Sequence, residues 1–544
     1  MGYCLYKYRR LVFMAKKNNK AIPRADFPEQ VGISSNEFAS LIRDFESSNI
    51  EVHSMMVIRH GKVACECYRH PYNAKTPHTM YSVSKSYTSV AMGFAIDEGL
   101  ISLDTKVIDI FPEYRPKKTD ENLEKMTVYH LLTMSAGKEV SVMTNKSKSN
   151  WVKDFFNAKW GYAPGEGWKY ISENTYMCCA IIKRVTGMGV IDYLTPRLFE
   201  PLGYERRPFW ETDTQGLEAG GWGLFVTTDE LARFILCLQQ KGMYAGKQVI
   251  PAWYVEEATK KHADNPQYDD RDACVGYGYF FWRNALENSY RADGMFSQFG
   301  IVFENDDACF IITCSEVMEQ RARDCIFRHF PHMFIDDMEE KPEDSLEITE
   351  LSPLPVLPEM PRSVIEEFIK GKVIRFNKNP LLNAVGFPLS MLPLAVVYMS
   401  TDRAGNIDNV ILDFSENECT MTWDEGRAHN KIVCGMDGKE RYSKIRLGGI
   451  NFTAVSTAAW QNDSELEIRM RPLESICERR ILLKFAGKSV TLKPSSNPPL
   501  SAIADNIKGE VRNVISNEKI AEIGEKAFMK LDMIVEAPMT GKMN

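Results

Sequence analysis

With 544 residues, 44% of them hydrophobic and 26% charged, the chain can bury more than one sizeable core, and its composition has no fibrous or disordered bias. A formal charge of −7 leaves no overall positive field for a phosphate backbone, which argues against a nucleic-acid partner. The 13 cysteines are odd in number, and the closest groupings, Cys65/Cys67 and Cys178/Cys179, lack zinc-site spacing. Reduced thiols and no metal are expected.

The first twenty residues are basic, but the apolar run Leu11–Ala15 is shorter than the core of an export signal. Tyr6 stands where N-myristoylation prefers Ser or Thr, and Met14 offers a second possible start. The longest apolar segment, Phe387–Met399, is short and carries Pro388 and Pro393. The expectation is a soluble, cytoplasmic protein without membrane contact.

In chain order, a tail over residues 1–28 precedes an α+β domain over 29–336. Its first elements are a hairpin Met55–Tyr68 around His60-Gly61-Lys62 and a helix running from Tyr81-Ser82 to Gly99. Further helices are predicted at Thr127–Met134, closed by Gly137, and at Asn174–Val185, closed by Gly187. Ile301–Phe303 and Phe310–Ile312 read as a second hairpin belonging with the first. An acidic, proline-rich linker covers 337–370. The remainder, 371–544, carries short β-rich segments at Val410–Phe414, Cys419–Trp423, Lys431–Cys434, Ser443–Leu447, Leu466–Met470 and Ile481–Phe485. They predict a small antiparallel barrel or sandwich, followed by a helix over Asn517–Met533.

A serine hydroxyl needs a base to become nucleophilic, and a lysine three residues on along a helix projects from the same face. Three S-x-x-K matches occur. Ser135–Lys138 straddles a predicted helix stop, and Ser516–Lys519 opens a charged helix, so neither has a catalytic setting. Ser82-Val83-Ser84-Lys85 opens an apolar helix whose N-terminal N–H groups favour developing negative charge. Standing alone, Ser82 would read as a helix cap and Lys85 as a surface charge.

The motif does not stand alone. Met80–Ser86 followed by Asp97–Asp104, His130–Gly137, Pro164-Gly165 through Tyr170 to Val185-Thr186-Gly187, Leu198–Gly203, Gly220–Leu224 and Thr227–Ala232 form a collinear series. It resembles the penicillin-binding and class C β-lactamase-related serine hydrolase family over roughly residues 30 to 335. The resemblance implies a β-lactamase-like fold, an antiparallel sheet flanked by helices plus an all-α subdomain, and a cofactor-free acyl-enzyme mechanism. It makes Ser82 the nucleophile, Lys85 its base partner and Tyr170 the proton carrier, because a phenol that a nearby cation holds in its ionised form can take and return the serine proton.

Ser172 stands where the family usually has Asn, and is carried over as substrate-binding. The third family element, K-T-G or H-x-G, corresponds to Ala292–Gln298 and lacks its basic residue. Gly294, Met295 and Phe296 then line the substrate side, and the Gln298 N–H joins that of Ser82 in an oxyanion hole. Trp222, with Tyr277, Tyr279 and Trp282, is a candidate pocket wall. Without a cation for a β-lactam carboxylate, an uncharged or apolar ester or amide suits this site better than penicillin. A β-lactamase or D-alanyl peptidase, and a catalytically decayed ligand-binding protein, are the competing readings.

Overall fold

The computed structural model describes residues 20–118, 120–139, 150–265, 270–346, 350–378, 407–425, 428–503, 533 and 536–544. The expected helix Asn517–Met533, the apolar run Phe387–Met399 and most of the N-terminal tail lie outside the described residues, apart from Met533.

Helix α1 (Ser35–Ser47), capped by the Ser34 hydroxyl on the Glu37 N–H, leads into strands β1 (Val52–Arg59) and β2 (Lys62–Tyr68). His60 and Gly61 both have positive φ, 51° and 70°, the conformation whose twist matches a two-residue hairpin. The short strand β3 (His78–Thr79) then delivers the chain to helix α2 (Val83–Asp97). Helix α3 (Val128–Leu132) is shorter than expected. Met134, at φ 60°, turns left-handed first, and Gly137, left-handed as expected at φ 81°, also passes too close to the Tyr162 carbonyl for a side chain. Helix α4 (Trp151–Asn157) and α5 (Ser172–Thr186) come next, α5 ending at the left-handed Gly187 as its sequence implied.

Strand β4 (Leu224–Val226) pairs with β3 and precedes α6 (Thr228–Gln239), which opens with a reciprocal Thr227–Glu230 capping box. Helix α7 (Ala252–Thr259), strands β5 (Trp282–Arg283), β6 (Ser289–Gly294), β7 (Gln298–Phe303) and β8 (Ala308–Cys314), and helix α8 (Glu319–Met333) complete the unit. The two hairpins join in one antiparallel sheet of order β5-β6-β7-β8-β1-β2. Its period of two divides the core: Met55, Val57, Ile301 and Phe310 pack with α1 and α8, while Met56, Ile58, Val302 and Ile311 face the larger helical core. With both faces covered, these strands are apolar almost throughout.

Helix α2 is the centre of that larger core. Residues Val83 to Ala95 are all buried, so its hydroxyls must find partners inside the protein. Ser84 Oγ accepts the Leu224 N–H at 3.2 Å, Ser86 donates to the Phe280 carbonyl at 2.9 Å, and Thr88 donates to the Gly220 carbonyl at 3.2 Å. These bonds fix the helix rotationally against the loops around it.

The second unit is a barrel. Strands β9 (Val373–Phe376), β10 (Ile407–Phe414), β11 (Glu418–Glu425), β12 (Ala428–Gly435), β13 (Arg441–Leu447), β14 (Ile450–Asn462), β15 (Glu465–Pro472), β16 (Glu478–Ala486), β17 (Ser489–Asn497) and β18 (Met539–Met543) form one sheet. Its order is β12-β11-β10-β9-β18-β17-β16-β15-β14-β13. A bridge from Gly435 on β12 to Thr457 on β14 closes nine of the described strands into a ring, which removes sheet edges, and β13 lies outside on β14. All six expected β segments fall in strands. Trp423 and Trp460, among the largest fully buried side chains, fill the interior.

The acidic, proline-rich stretch between the units is a strap rather than a free tether: Leu351, Leu354 and Leu357 are buried. The Leu354 N–H reaches the His70 carbonyl at 3.0 Å, and the Leu357 N–H the Thr457 hydroxyl at 3.3 Å. Phe225 of β4 joins the barrel core beside Phe452. No helix among the described residues is long and apolar enough to cross a membrane.

Candidate active site

The turn into α2 has an unusual backbone. Tyr81 sits at φ 43°, a conformation that crowds the Cβ of any non-glycine residue and persists only when its surroundings hold it. Its ring meets Phe296 edge-on at 5.0 Å, within a buried cluster that includes Ile476 and Cys477 from the segment joining β15 and β16. Ser82 is the cap residue, yet its hydroxyl makes no capping hydrogen bond. The Lys85 ammonium donates to that hydroxyl at 3.0 Å. A simple capping serine would turn its oxygen to the helix N–H groups, so the bland reading of this motif fails.

Lys85 is 1% exposed. Its ammonium also donates to the Gly221 carbonyl at 2.8 Å and lies 4.7 Å from the centre of the Tyr170 ring. Ser172, the first residue of α5, comes to the same place. A Cβ placed on Gly221 would fall 3.0 Å from Ser172 Oγ and 3.3 Å from Lys85 Nζ. Ser82, Lys85, Tyr170 and Ser172, separated by up to ninety positions in the chain, therefore converge.

The aromatic residues divide. Tyr170 is enclosed by Trp282 at 5.3 Å, Tyr277 at 6.1 Å and Trp168 at 6.3 Å between ring centres. Trp222 adjoins the lysine-binding carbonyl in the chain, but its ring is buried against Trp151, in a cluster with Tyr176, and Tyr279 stacks on His262 at 4.3 Å. Both sit as core residues. Beside Trp222, Glu211 is fully buried and its carboxyl is pushed well above the usual range by desolvation.

The hairpin joining β6 and β7 comes within reach of the turn that carries Ser82. A Cβ on Gly294 would lie 2.4 Å from the Met80 carbonyl oxygen and 3.2 Å from Val83, so only glycine permits this approach. Gly294 pairs with Gln298 in the ladder. Phe296 and Ser297 between them are both left-handed, at φ 64° and 65°. The Gln298 side chain is occupied in holding the hairpin: its amide donates to the carbonyls of Phe296 at 3.0 Å and Cys314 at 2.7 Å. Phe296 and Met295 turn toward Tyr81 and the barrel segment.

Sequence reasoning missed what lies beneath that hairpin. Arg291 and Arg323, each 1% exposed, pair with Asp293, Glu319 and Asp270. Glu319 accepts the Phe296 N–H at 3.0 Å, and burial pushes its carboxyl up to about 7. Where the family places a basic residue toward substrate, the two arginines buried beneath this hairpin are paired with internal carboxylates. The competing Ser135–Lys138 pair is structural: the Lys138 ammonium donates to the Phe156 and Ala158 carbonyls, both at 3.0 Å, and its burial lowers its pKa to about 8. Ser516–Lys519 lies outside the described residues.

A buried helix opened by Ser82, a lysine on that hydroxyl and a glycine-tipped strand beside it define a serine hydrolase of the β-lactamase-like fold. The family model described as Beta-lactamase matches residues 38–326, more than half of the chain, which belongs to that family. The 6-aminohexanoate-dimer hydrolase of Paenarthrobacter ureafaciens is 24% identical over 259 residues, 43% of this chain and 65% of that protein. The esterase EstB of Burkholderia gladioli is 27% identical over 177 residues, 27% of this chain and 44% of that one. Among solved structures, a penicillin-binding protein homologue from Caulobacter crescentus matches with 16% identity and a TM-score of 0.44, covering 55% of this chain and 99% of its own. The chain thus spans no more than two thirds of the two curated relatives named.

Proposed function

We propose that the protein hydrolyses an uncharged or apolar ester or amide through an acyl-enzyme on Ser82. The observation that carries this is the 3.0 Å bond from Lys85 to a Ser82 hydroxyl that does no capping. Ser82 Oγ attacks the substrate carbonyl carbon and its proton passes to the Lys85–Tyr170 pair. That proton then goes to the departing alcohol or amine as the acyl C–O or C–N bond breaks. Water, deprotonated by the same pair, cleaves the ester formed on Ser82. Main-chain N–H groups at Ser82 and at the Gly294–Gln298 hairpin hold the tetrahedral oxyanion. The 6-aminohexanoate-dimer hydrolase and the esterase among the relatives support amide or ester chemistry, and the internally paired Arg291 and Arg323 support an uncharged acyl group over a β-lactam carboxylate.

The test is labelling with a fluorophosphonate probe, read by intact and peptide mass spectrometry, beside a panel of p-nitrophenyl esters, small amides and nitrocefin. Wild type should label on Ser82 and turn over esters or amides faster than nitrocefin. An unlabelled wild type, or equal labelling of Ser82→Ala, rejects the nucleophile.

A further inference from the structure

A line of polar side chains, buried except for the half-buried Glu51, runs from the barrel to the strand that leads into Ser82, and the proposed chemistry does not use it. Arg471, on β15, binds Glu51 at 2.6 Å, and Glu51 lies 3.1 Å from His53 Nε2. Nδ1 of His53 is 3.0 Å from Nε2 of His78, whose Nδ1 is 3.0 Å from the Thr79 carbonyl oxygen. That carbonyl can only accept, so His78 Nδ1 carries a hydrogen, and His78 Nε2 then accepts from His53 Nδ1. Two neutral rings carry two N–H hydrogens for the three contacts, so His53 Nε2 and the Glu51 carboxylate form a hydrogen bond only when the pair of rings holds one further proton. Tyr72 stacks on His53 at 3.9 Å and closes the line from the side.

The line ends close to the nucleophile. Thr79 is three residues before Ser82 and two before the left-handed Tyr81. Its own N–H is taken by the Glu474 carbonyl of the barrel at 2.9 Å, and the next N–H, of Met80, by Leu224 at 2.8 Å. An unfavourable backbone conformation next to a nucleophile needs external definition, and here the Thr79 N–H is held by the barrel and its carbonyl by His78 at the end of the line.

We propose that His53 and His78 are positioning residues, transmitting the place of barrel residue Arg471 to the backbone of Thr79 and so setting the attack geometry of Ser82. The inference rests on the nucleophile reading above. It makes the barrel part of the catalytic apparatus while none of its atoms touches substrate. Reacting groups tolerate little misplacement, so loss of the line falls on the chemical step rather than on substrate binding.

The experiment uses the full chain, comparing wild type, Ser82→Ala, His78→Ala, His78→Asn and Arg471→Met for fluorophosphonate labelling rate and for kcat and KM on a p-nitrophenyl ester. His78→Ala and Arg471→Met should label and turn over about ten-fold more slowly, with KM within about two-fold of wild type. His78→Asn, whose amide N–H can replace Nδ1–H on the Thr79 carbonyl, should recover most of the rate. A folded His78→Ala or Arg471→Met working at the wild-type rate overturns the proposal, as does a His78→Asn no better than alanine. Circular dichroism reports folding, and collapse of all three variants makes the line a folding element and overturns its positioning role. A wild type that never labels removes the nucleophile reading itself, and this inference with it.

Discussion

The Gly221 carbonyl accepts a hydrogen bond of 2.8 Å from the Lys85 ammonium, across 136 positions of sequence. The same glycine leaves open the space in which Ser172 Oγ and the lysine meet. Gly221→Ala would set a Cβ 2.8 Å from the Ser172 Cβ, closer than real contacts allow, and must displace α5 or the ammonium. Activity should fall by about 100-fold, a loss like that of other misplaced catalytic groups, while thermal melting changes little. Ester kinetics and differential scanning calorimetry on the same preparation check this.

Lys85→Ala removes the group on the Ser82 hydroxyl and leaves the Gly221 carbonyl with one partner fewer. A loss of about 10²–10⁴ in kcat is expected, the range for a proton-transfer group. Tyr170→Phe keeps the ring that faces the lysine and its aromatic enclosure, so its loss reports the hydroxyl alone. Folding should be retained in Tyr170→Phe, and steady-state kinetics with fluorophosphonate labelling separate acylation from turnover.

Ser297 is fully buried and left-handed at φ 65°, and its hydroxyl has no hydrogen-bond partner among the described residues. Ser297→Gly removes the steric cost of that backbone and an unsatisfied polar group together. It should raise stability by about 1 kcal/mol, the size of a relieved left-handed residue. Urea denaturation with an unchanged slope would confirm it, and a lower midpoint would contradict it.

The stability that His53 and His78 contribute should be lost as the solution is acidified. Burial lowers His53 to about 4 and His78 to about 3, the pull of Glu51 on His53 offsetting only part. An unfolded histidine titrates near 6.5, so between pH 6.5 and 4 the unfolded chain binds protons that the folded chain refuses. Their contribution is complete above pH 6.5 and is lost below it. Glu319 acts oppositely, because the folded chain keeps its proton up to about 7 against 4.5 for an ordinary glutamate. Burial also raises the carboxyls of Glu211, Glu230 and Glu474, which act like Glu319, so the histidine contribution is isolated by comparing wild type with a variant that lacks one ring. Denaturation midpoints measured at pH 7 and pH 5 should show His53→Gln losing less, or gaining more, stability on acidification than wild type, and an identical pH response of the two would contradict this.

Much of the hydrolase unit was legible because its signals are local. The Met55–Tyr68 hairpin carries its turn residues with it, α2 and α5 are bounded by Gly99 and Gly187, and Ser82 and Lys85 lie within one helical turn. In the barrel, six of the ten described strands could be read. Ile450–Asn462 is diluted by alanine and serine, and Met539–Met543 contains Gly541, so their strand conformation comes from pairing partners rather than from propensity.

Helix periodicity and motif order hold within short spans of chain, and they were enough for the family fold and for placing Ser82 and Lys85 within one helical turn. The remaining relationships exist only once the chain has folded. Folding made Gly221 the lysine's acceptor and sent Trp222 and Tyr279 into the core. It also turned Phe296 toward the barrel, and ran Arg471, Glu51, His53 and His78 into one line behind Ser82. Those relationships join residues up to some 420 positions apart, and contacts at that range leave no periodic trace in the chain because each depends on how separately folded elements meet.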